Sequence, residues 1–317
     1  MPHLLIDTDP GTDDAIALLM ALNAPDAEVA GVTTVGGNAS LSHVTKNALA
    51  VLEHMGRTSV PVAKGAAISL AGDPFRYAYD FHGHRGLGVH MLRPTAAAVR
   101  EDAVSFMAAR ILEGFPLAVA ERGIEGERSE EKGVTLVALG PLTNVARLLQ
   151  QYPHAAQGIA RLVVMGGALD QGNVTPYAEF NTYNDPEAAS AVFASGVPIT
   201  LVPLDACAQV TLSAKDLARW RDSKAPAARL ADRILLKWFQ RQTNHQAFDP
   251  CDPLAMAVAL APDIASYEHG SVTVDTSAEE TRGRTLFQPG SGNVSVARRV
   301  DAAAFYALLD ELLLRGG

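Results

Sequence analysis

The stretch from Leu4 to Asn23 restricts the chain more than any other. Leu4 to Asp7 reads as a short apolar strand, and Thr12 to Asn23 as a helix stopped by Pro25. Ile16, Leu18, Leu19, Met20 and Leu22 cover most of that helix's circumference, so it has to be buried on nearly every side. A strand that runs at once into a buried helix opens a layered α/β structure.

The alternation continues. Val29 to Val35 is strand-like, Gly36-Gly37-Asn38 is a turn, and Ser40 can cap a helix carrying Leu41, Val44, Ala48, Val51, Leu52 and Met55, with Gly56 just beyond it. Val60 to Ala63, Val134 to Leu139, Arg161 to Met165 and Ile199 to Val202 read as further strands. Helices are expected from near Thr143 and, with Asp185-Pro186 as cap and first residue, through Ala194. The reading is an α/β fold with a Rossmann-like, mostly parallel central sheet and helices on both faces. Such sheets place ligands outside the carboxyl ends of their strands. Ala71 to Pro94, rich in Gly, His and aromatics, is expected as a long loop of functional character. Glu121 to Lys132 is highly charged and reads as a solvated surface loop. Neither has the character of a linker, so residues 1–317 are expected to form one domain.

Composition excludes several classes. A hydrophobic fraction of 48% supplies a sizeable core and rules out a disordered chain. A net charge of −9 argues against holding nucleic acid by bulk electrostatics. Two cysteines, Cys207 and Cys251, make no disulfide framework and suit a reducing compartment. Without a basic, apolar leader or an apolar run of ~20 residues, the expectation is a soluble cytoplasmic protein without a membrane partner.

Asp7-Thr8-Asp9-Pro10-Gly11-Thr12-Asp13-Asp14 carries the chemistry. Four carboxylates meet where a strand ends and a buried helix begins. One could be an ordinary helix cap. Burying all four without partners costs several kcal/mol each, of which a helix N-terminus offsets about 1 kcal/mol. A bound divalent cation resolves the conflict, and oxygen-only ligands indicate Ca²⁺ or Mg²⁺. A D-x-D after a strand also resembles phosphatases of the haloacid dehalogenase type. Asp7 and Asp9 have that spacing, but the threonine falls late, at Thr12, and two more aspartates follow.

Other segments decide between these readings. Asp7 to Asp14, Gly36-Gly37-Asn38, Gly140-Pro141-Leu142-Thr143-Asn144, Met165-Gly166-Gly167, Gly172-Asn173, Ala178-Glu179-Phe180-Asn181, Asp252-Pro253-Leu254-Ala255 and Thr281-Arg282-Gly283-Arg284-Thr285 together resemble the nucleoside hydrolase family, in the family's order and over nearly the whole chain. The resemblance implies Ca²⁺-dependent cleavage of the N-glycosidic bond of ribonucleosides to ribose and free base, by a homodimer or homotetramer. It implies that Asp9, Asp14, the backbone carbonyl of Leu139 and Asp252 hold the ion, with Asp9 also general base for the attacking water and Asp7 supporting them from behind. By the same match Asp13, Asn38, His82, Asn173, Glu179, Phe180 and Asn181 contact the substrate or order the site.

Each residue also has a plainer reading. Asn173 fits a turn after Gly172, and Asn38 fits a left-handed turn after two glycines. Glu179, Asn181 and Tyr183 would share a face of an extended segment. Asn144 suits a helix start, Asp185 a helix cap, and Asp249 the surface.

The chain departs from the family's better-known members at Cys251, where they often carry a histidine linked to leaving-group protonation. A thiol with a pKa near ~8.5 is a poor substitute for an imidazole near ~6.5, and the alternative is a small buried side chain at a helix start. His82, His84 and Arg85 in Phe81-His82-Gly83-His84-Arg85-Gly86-Leu87-Gly88, which resembles the family's H-G-x-x-G-L segment, could donate protons or hydrogen bonds instead. Trp238, Phe239, His245 and Phe248 could stack on a base or belong to the core. Other readings of the same residues are a calcium-dependent ribonucleoside or ribose binder without turnover, a hydrolase of a modified ribosyl substrate, and a Mg²⁺ phosphatase.

Overall fold

In the computed structural model, which describes residues 3–114, 133–277 and 280–316, the first strand, β1 (His3–Thr8), is buried from Leu4 onward. Leu4 and Ile6 enter one apolar core and Leu5 enters another. The two-residue period of a strand requires this split. With a core on each face, the central strands are unbroken apolar runs rather than alternating ones.

The other strands are β2 (Glu28–Thr34), β3 (Val62–Lys64), β4 (Val134–Ala138), β5 (Ile159–Met165), β6 (Ile199–Val202), β7 (Ala265–Val274), β8 (Thr285–Pro289) and β9 (Val294–Val300). They form a nine-stranded sheet ordered β3-β2-β1-β4-β5-β6-β9-β7-β8. Pairing is parallel from β3 through β9, while β7 runs antiparallel to β8 and β9. The chain winds outward from β1 to β3, then returns to β4 on the other side of β1. That reversal opens a crevice beyond the carboxyl ends of β1 and β4, the place where such sheets bind ligands.

The helices are α1 (Thr12–Asn23), α2 (Leu41–His54), α3 (Tyr79–His82), α4 (Ala103–Gly114), α5 (Thr143–Gln151), α6 (Phe180–Asn184), α7 (Pro186–Phe193), α8 (Leu204–Cys207), α9 (Ala218–Arg221), α10 (Pro226–Arg241), α11 (Cys251–Leu260) and α12 (Ala302–Leu314). Apolar residues of α1, α2, α10, α11 and α12 fill the core on one face, and those of α4, α5 and α7 the core on the other. As its composition demands, α1 is enclosed, packing against α2, α10, α11 and α12. Among the described residues no helix is long and apolar enough to cross a membrane.

Expected and observed elements agree to within two residues in this alternating part. β3 starts at Val62 rather than Val60 because Pro61 has no N–H for the ladder; its carbonyl still accepts from Val32 N at 3.0 Å. Ser40 occupies the cap position of α2, but its hydroxyl pairs with His43 Nδ1 at 3.1 Å instead of capping the backbone. The expected loop from Ala71 to Pro94 contains the short helix α3. The charged segment Glu121 to Lys132 lies outside the described residues. The β7–β9 region had no counterpart in the sequence reading.

Leu18 on α1 is wholly buried. Leu18→Ala is expected to lower unfolding free energy by about 2–5 kcal/mol through lost burial and a residual cavity, measured by urea denaturation.

Candidate active site

The acidic segment folds so that Asp14 is the third residue of α1, where it caps the helix from within. Asp14 Oδ2 accepts from Gly11 N at 2.9 Å and from Asn38 Nδ2 at 2.8 Å; Oδ1 accepts from Asp9 N at 3.2 Å and from the Thr8 hydroxyl. Asp7 faces the interior of the sheet, its Oδ1 accepting from Thr33 Oγ1 at 2.6 Å and Asn144 Nδ2 at 2.8 Å. Asp9 Oδ2 accepts from Asn38 N at 2.6 Å. Asp9 Oδ1 and Asp13 Oδ1 are buried without any hydrogen-bond partner.

Asp252, two residues into α11, joins this group from the opposite end of the chain. Ligand atoms of Asp13, Asp14 and Asp252 all lie within 4.8 Å of one another. Burial pushes Asp9 and Asp252 well above the usual carboxylate range, and the charges of their neighbours push them further. Burial, then the Asp14 charge, raises Asp13 to about 8. Burial raises Asp7 to about 7 despite its hydrogen bonds to Thr33 and Asn144. Two orphaned buried carboxylate oxygens in an all-oxygen cluster fit a hard divalent cation.

Glycine makes room for Asp9. A Cβ at Gly140 would stand 2.6 Å from Asp9 Oδ1, and one at Gly37 would collide with Asp9 Oδ2.

Above the cluster opens a cavity of about 770 Å³, within the range of small-molecule sites. It brings together Asp13, Asn38, His82, Leu139, Asn173, Glu179, Phe180, Asn181, Cys251 and Asp252 from the sequence reading. Asp7, Asp9 and Asp14 lie behind that surface, fully buried. Leu139, at the end of β4, holds its carbonyl 2.8 Å from Asn181 Nδ2. Asn38 is not in a left-handed conformation; no non-glycine residue among those described has a positive φ. Its role is to tie Asp9 to Asp14. Glu179 and Asn181 are not on an extended segment either. Glu179 caps α6, accepting from Asn181 N at 2.8 Å, Thr182 N at 3.0 Å and Gly167 N at 3.0 Å. Asn173 is exposed on the cavity wall.

His82 ends α3 with Nδ1 accepting from Thr12 N at 3.0 Å. Burial and the nearby Arg241 charge lower its pKa to about 3. The ring is therefore neutral, with its proton on Nε2. His84 packs at a tilt against Tyr79 with ring centroids 5.0 Å apart, and neither it nor Arg85 lines the cavity. The Cys251 thiol meets the Cys207 thiol, and that hydrogen bond together with burial raises its pKa well above the usual value.

Sequence reasoning underrated Asn144 and Asp185. Asn144 begins α5, yet its wholly buried amide braces Asp7, donates to Thr34 O at 3.1 Å and accepts from Ala66 N at 2.9 Å. Asp185 caps α7 and also binds Thr143 Oγ1 and Leu70 N. Asp249 is exposed as expected, but on the cavity wall. Trp238 is core and wall at once, 1% exposed and edge-on to Phe81 and Phe248.

The family model described as inosine-uridine preferring nucleoside hydrolase matches residues 4–307. The probable uridine nucleosidase 1 of Oryza sativa subsp. japonica is 37% identical over 98% of this chain and 96% of its own length. The pyrimidine-specific ribonucleoside hydrolase RihA of Salmonella paratyphi C is 36% identical, covering 98% of this chain and 97% of its own. Among solved structures, the plant nucleoside hydrolase PpNRh1 superposes with a TM-score of 0.87 at 32% identity, over 99% of each chain.

The raised carboxylates also set a pH dependence. The folded state keeps protons on Asp7 and Asp13 that the unfolded chain releases near 3.8. Their contribution to stability is therefore complete below that value and lost as pH rises through about 7 to 8. A bound cation opposes that loss. Added calcium is expected to raise Tm more at about pH 8 than at about pH 5, read by thermal melts against chelator-treated protein.

Proposed function

The chain belongs to the inosine-uridine preferring nucleoside hydrolase family, whose named members are ribonucleoside hydrolases, and we propose that it hydrolyses ribonucleosides with calcium held by Asp9, Asp14, Asp252 and the Leu139 carbonyl. The observation that supports the calcium site is the approach of Asp13, Asp14 and Asp252 oxygens to within 4.8 Å of one another, with Asp9 Oδ1 and Asp13 Oδ1 buried and unpartnered. When bound, calcium supplies a fixed point that orients water and a ribose diol and makes the water more acidic.

The remaining work falls to the chain's own groups. Asp9 takes a proton from the attacking water through Oδ1, its one free oxygen. Glycines at 37 and 140 hold that carboxylate between two backbones, so it meets the water without rearrangement. Loss of the base builds positive charge on the ribosyl ring, and the acidic floor stabilises it. Asp13, Asn173 and the remaining lone pairs of Glu179 receive ribose hydroxyls. His82 offers a neutral Nε2–H donor beside Asp13, with which its Nδ1 is 3.9 Å apart. Asn38 and Asn181 spend their amide donors on Asp14, Asp9 O and Leu139 O, so they order the site. Phe180 forms wall, and Asp7, braced by Asn144, holds the end of β1 in place.

Free-base release from uridine, cytidine, inosine, adenosine and guanosine in calcium tests this reading. Uridine and cytidine come first, since two similar proteins are named for uridine or pyrimidine ribonucleosides. Asp9→Ala is expected to lower kcat/KM by at least about 100-fold with circular dichroism unchanged. A fully active Asp9→Ala overturns its role as base; no release from any of the five overturns the reading.

A further inference from the structure

A departing base carries off the electron pair of its glycosidic bond, and protonation makes it a better leaving group. Two residues at the floor are poorly placed to supply that proton. His82 has Nδ1 occupied by the Thr12 N–H and is buried beside Arg241's charge. Cys251 has its thiol buried against Cys207.

His245 lies elsewhere, on the exposed part of the wall between α10 and α11. Its segment is clamped. Phe248 exchanges two backbone hydrogen bonds of 2.8 Å with Leu212, the Gln242 side chain binds Asp80 O, and His245 N binds Gln242 O at 2.9 Å. The imidazole rests edge-on against Trp238, ring centroids 5.7 Å apart. No hydrogen bond occupies its ring nitrogens among the described residues. Asp249, four residues on, lines the same wall; desolvation there raises its pKa, and the His245 charge opposes that rise. The arrangement is an imidazole on the cavity wall, with the edge of an aromatic ring beside it and a carboxylate on the same wall.

We propose that His245 is the general acid of this site, giving its proton to the departing base with Asp249 as its electrostatic partner. The proposal rests on the hydrolase reading above. As the C1′–N bond breaks, its electrons go to the base and the proton from His245 follows. Water adds to C1′, and its proton goes to Asp9. Solvent then reprotonates His245 and takes the proton from Asp9, so the sum is nucleoside plus water to ribose plus base.

The test compares two leaving groups in the full-length, calcium-loaded protein. Uridine or inosine leaves poorly without a proton, whereas the phenolate of p-nitrophenyl riboside leaves without one. His245→Gln is expected to lower kcat for the nucleoside by about 100-fold or more and to change kcat for the nitrophenyl riboside by less than about threefold. Asp249→Asn should show the same selectivity at smaller amplitude. Equal loss on both substrates, or no loss on either, overturns the proposal. So does a nucleoside-selective loss in Cys251→Ser with His245→Gln silent, which assigns the proton to the thiol. Failure of the hydrolase reading itself looks different: the unmodified protein then releases neither base nor nitrophenol.

Discussion

Like charges resist burial together, yet the crevice beyond β1 and β4 buries Asp7, Asp9, Asp14 and Asp252 side by side. Among the described residues, the ion pairs bring only His82 to this cluster, 3.9 Å from Asp13 Oδ1. Neutral donors do the work that lysine or arginine does elsewhere. Thr8, Asn38 and the backbone N–H groups of Asp9 and Gly11 saturate Asp14, and Thr33 and Asn144 one oxygen of Asp7. Each of these donors stabilises an oxygen without cancelling its charge. The remaining deficit falls on one oxygen each of Asp7, Asp9 and Asp13.

The rest of the fold holds that cluster to tight tolerances. The winding reversal between β1 and β4 sets the Asp9 turn beside the Gly140 backbone, and β2 delivers Gly37 and Asn38 from the other side. Side chains at 37 or 140 would displace the carboxylate they frame. Neighbouring strands in parallel register leave little freedom to adapt, because moving one strand end moves its pairing partners.

Much of this was legible in the residue pattern. Alternating apolar runs and caps located β1 to β6 and, between them, α1, α2, α5 and α7 but not α3, α4 or α6, and the acidic turn marked the floor. What escaped were contacts between segments distant in sequence. Nothing local distinguishes Asn144 as a helix start from Asn144 as a brace for Asp7. Asn38 looked like a turn residue because two glycines precede it, but Gly36 provides clearance for Phe75 and Gly37 for Asp9. Glu179 and Asn181 suggested a strand by their spacing; Glu179 is a cap, and caps override a two-residue alternation too short to count. The antiparallel β7–β9 region escaped because its edge strands are half-exposed and their apolar runs are broken.

The floor is assembled from segments far apart in sequence, and this orders events during folding. Only α2 of the helices that enclose α1 follows it closely; α10, α11 and α12, and with α11 the Asp252 that completes the acidic group, lie much further along the chain. Until those later helices dock, much of the apolar surface of α1 stays uncovered, and exposed surface of that kind favours aggregation over folding. Docking of α11 on α1 adds Asp252 to the carboxylates already gathered at the start of α1, in the same step that buries the facing apolar sides of both helices. A long-range closure of this kind is slow.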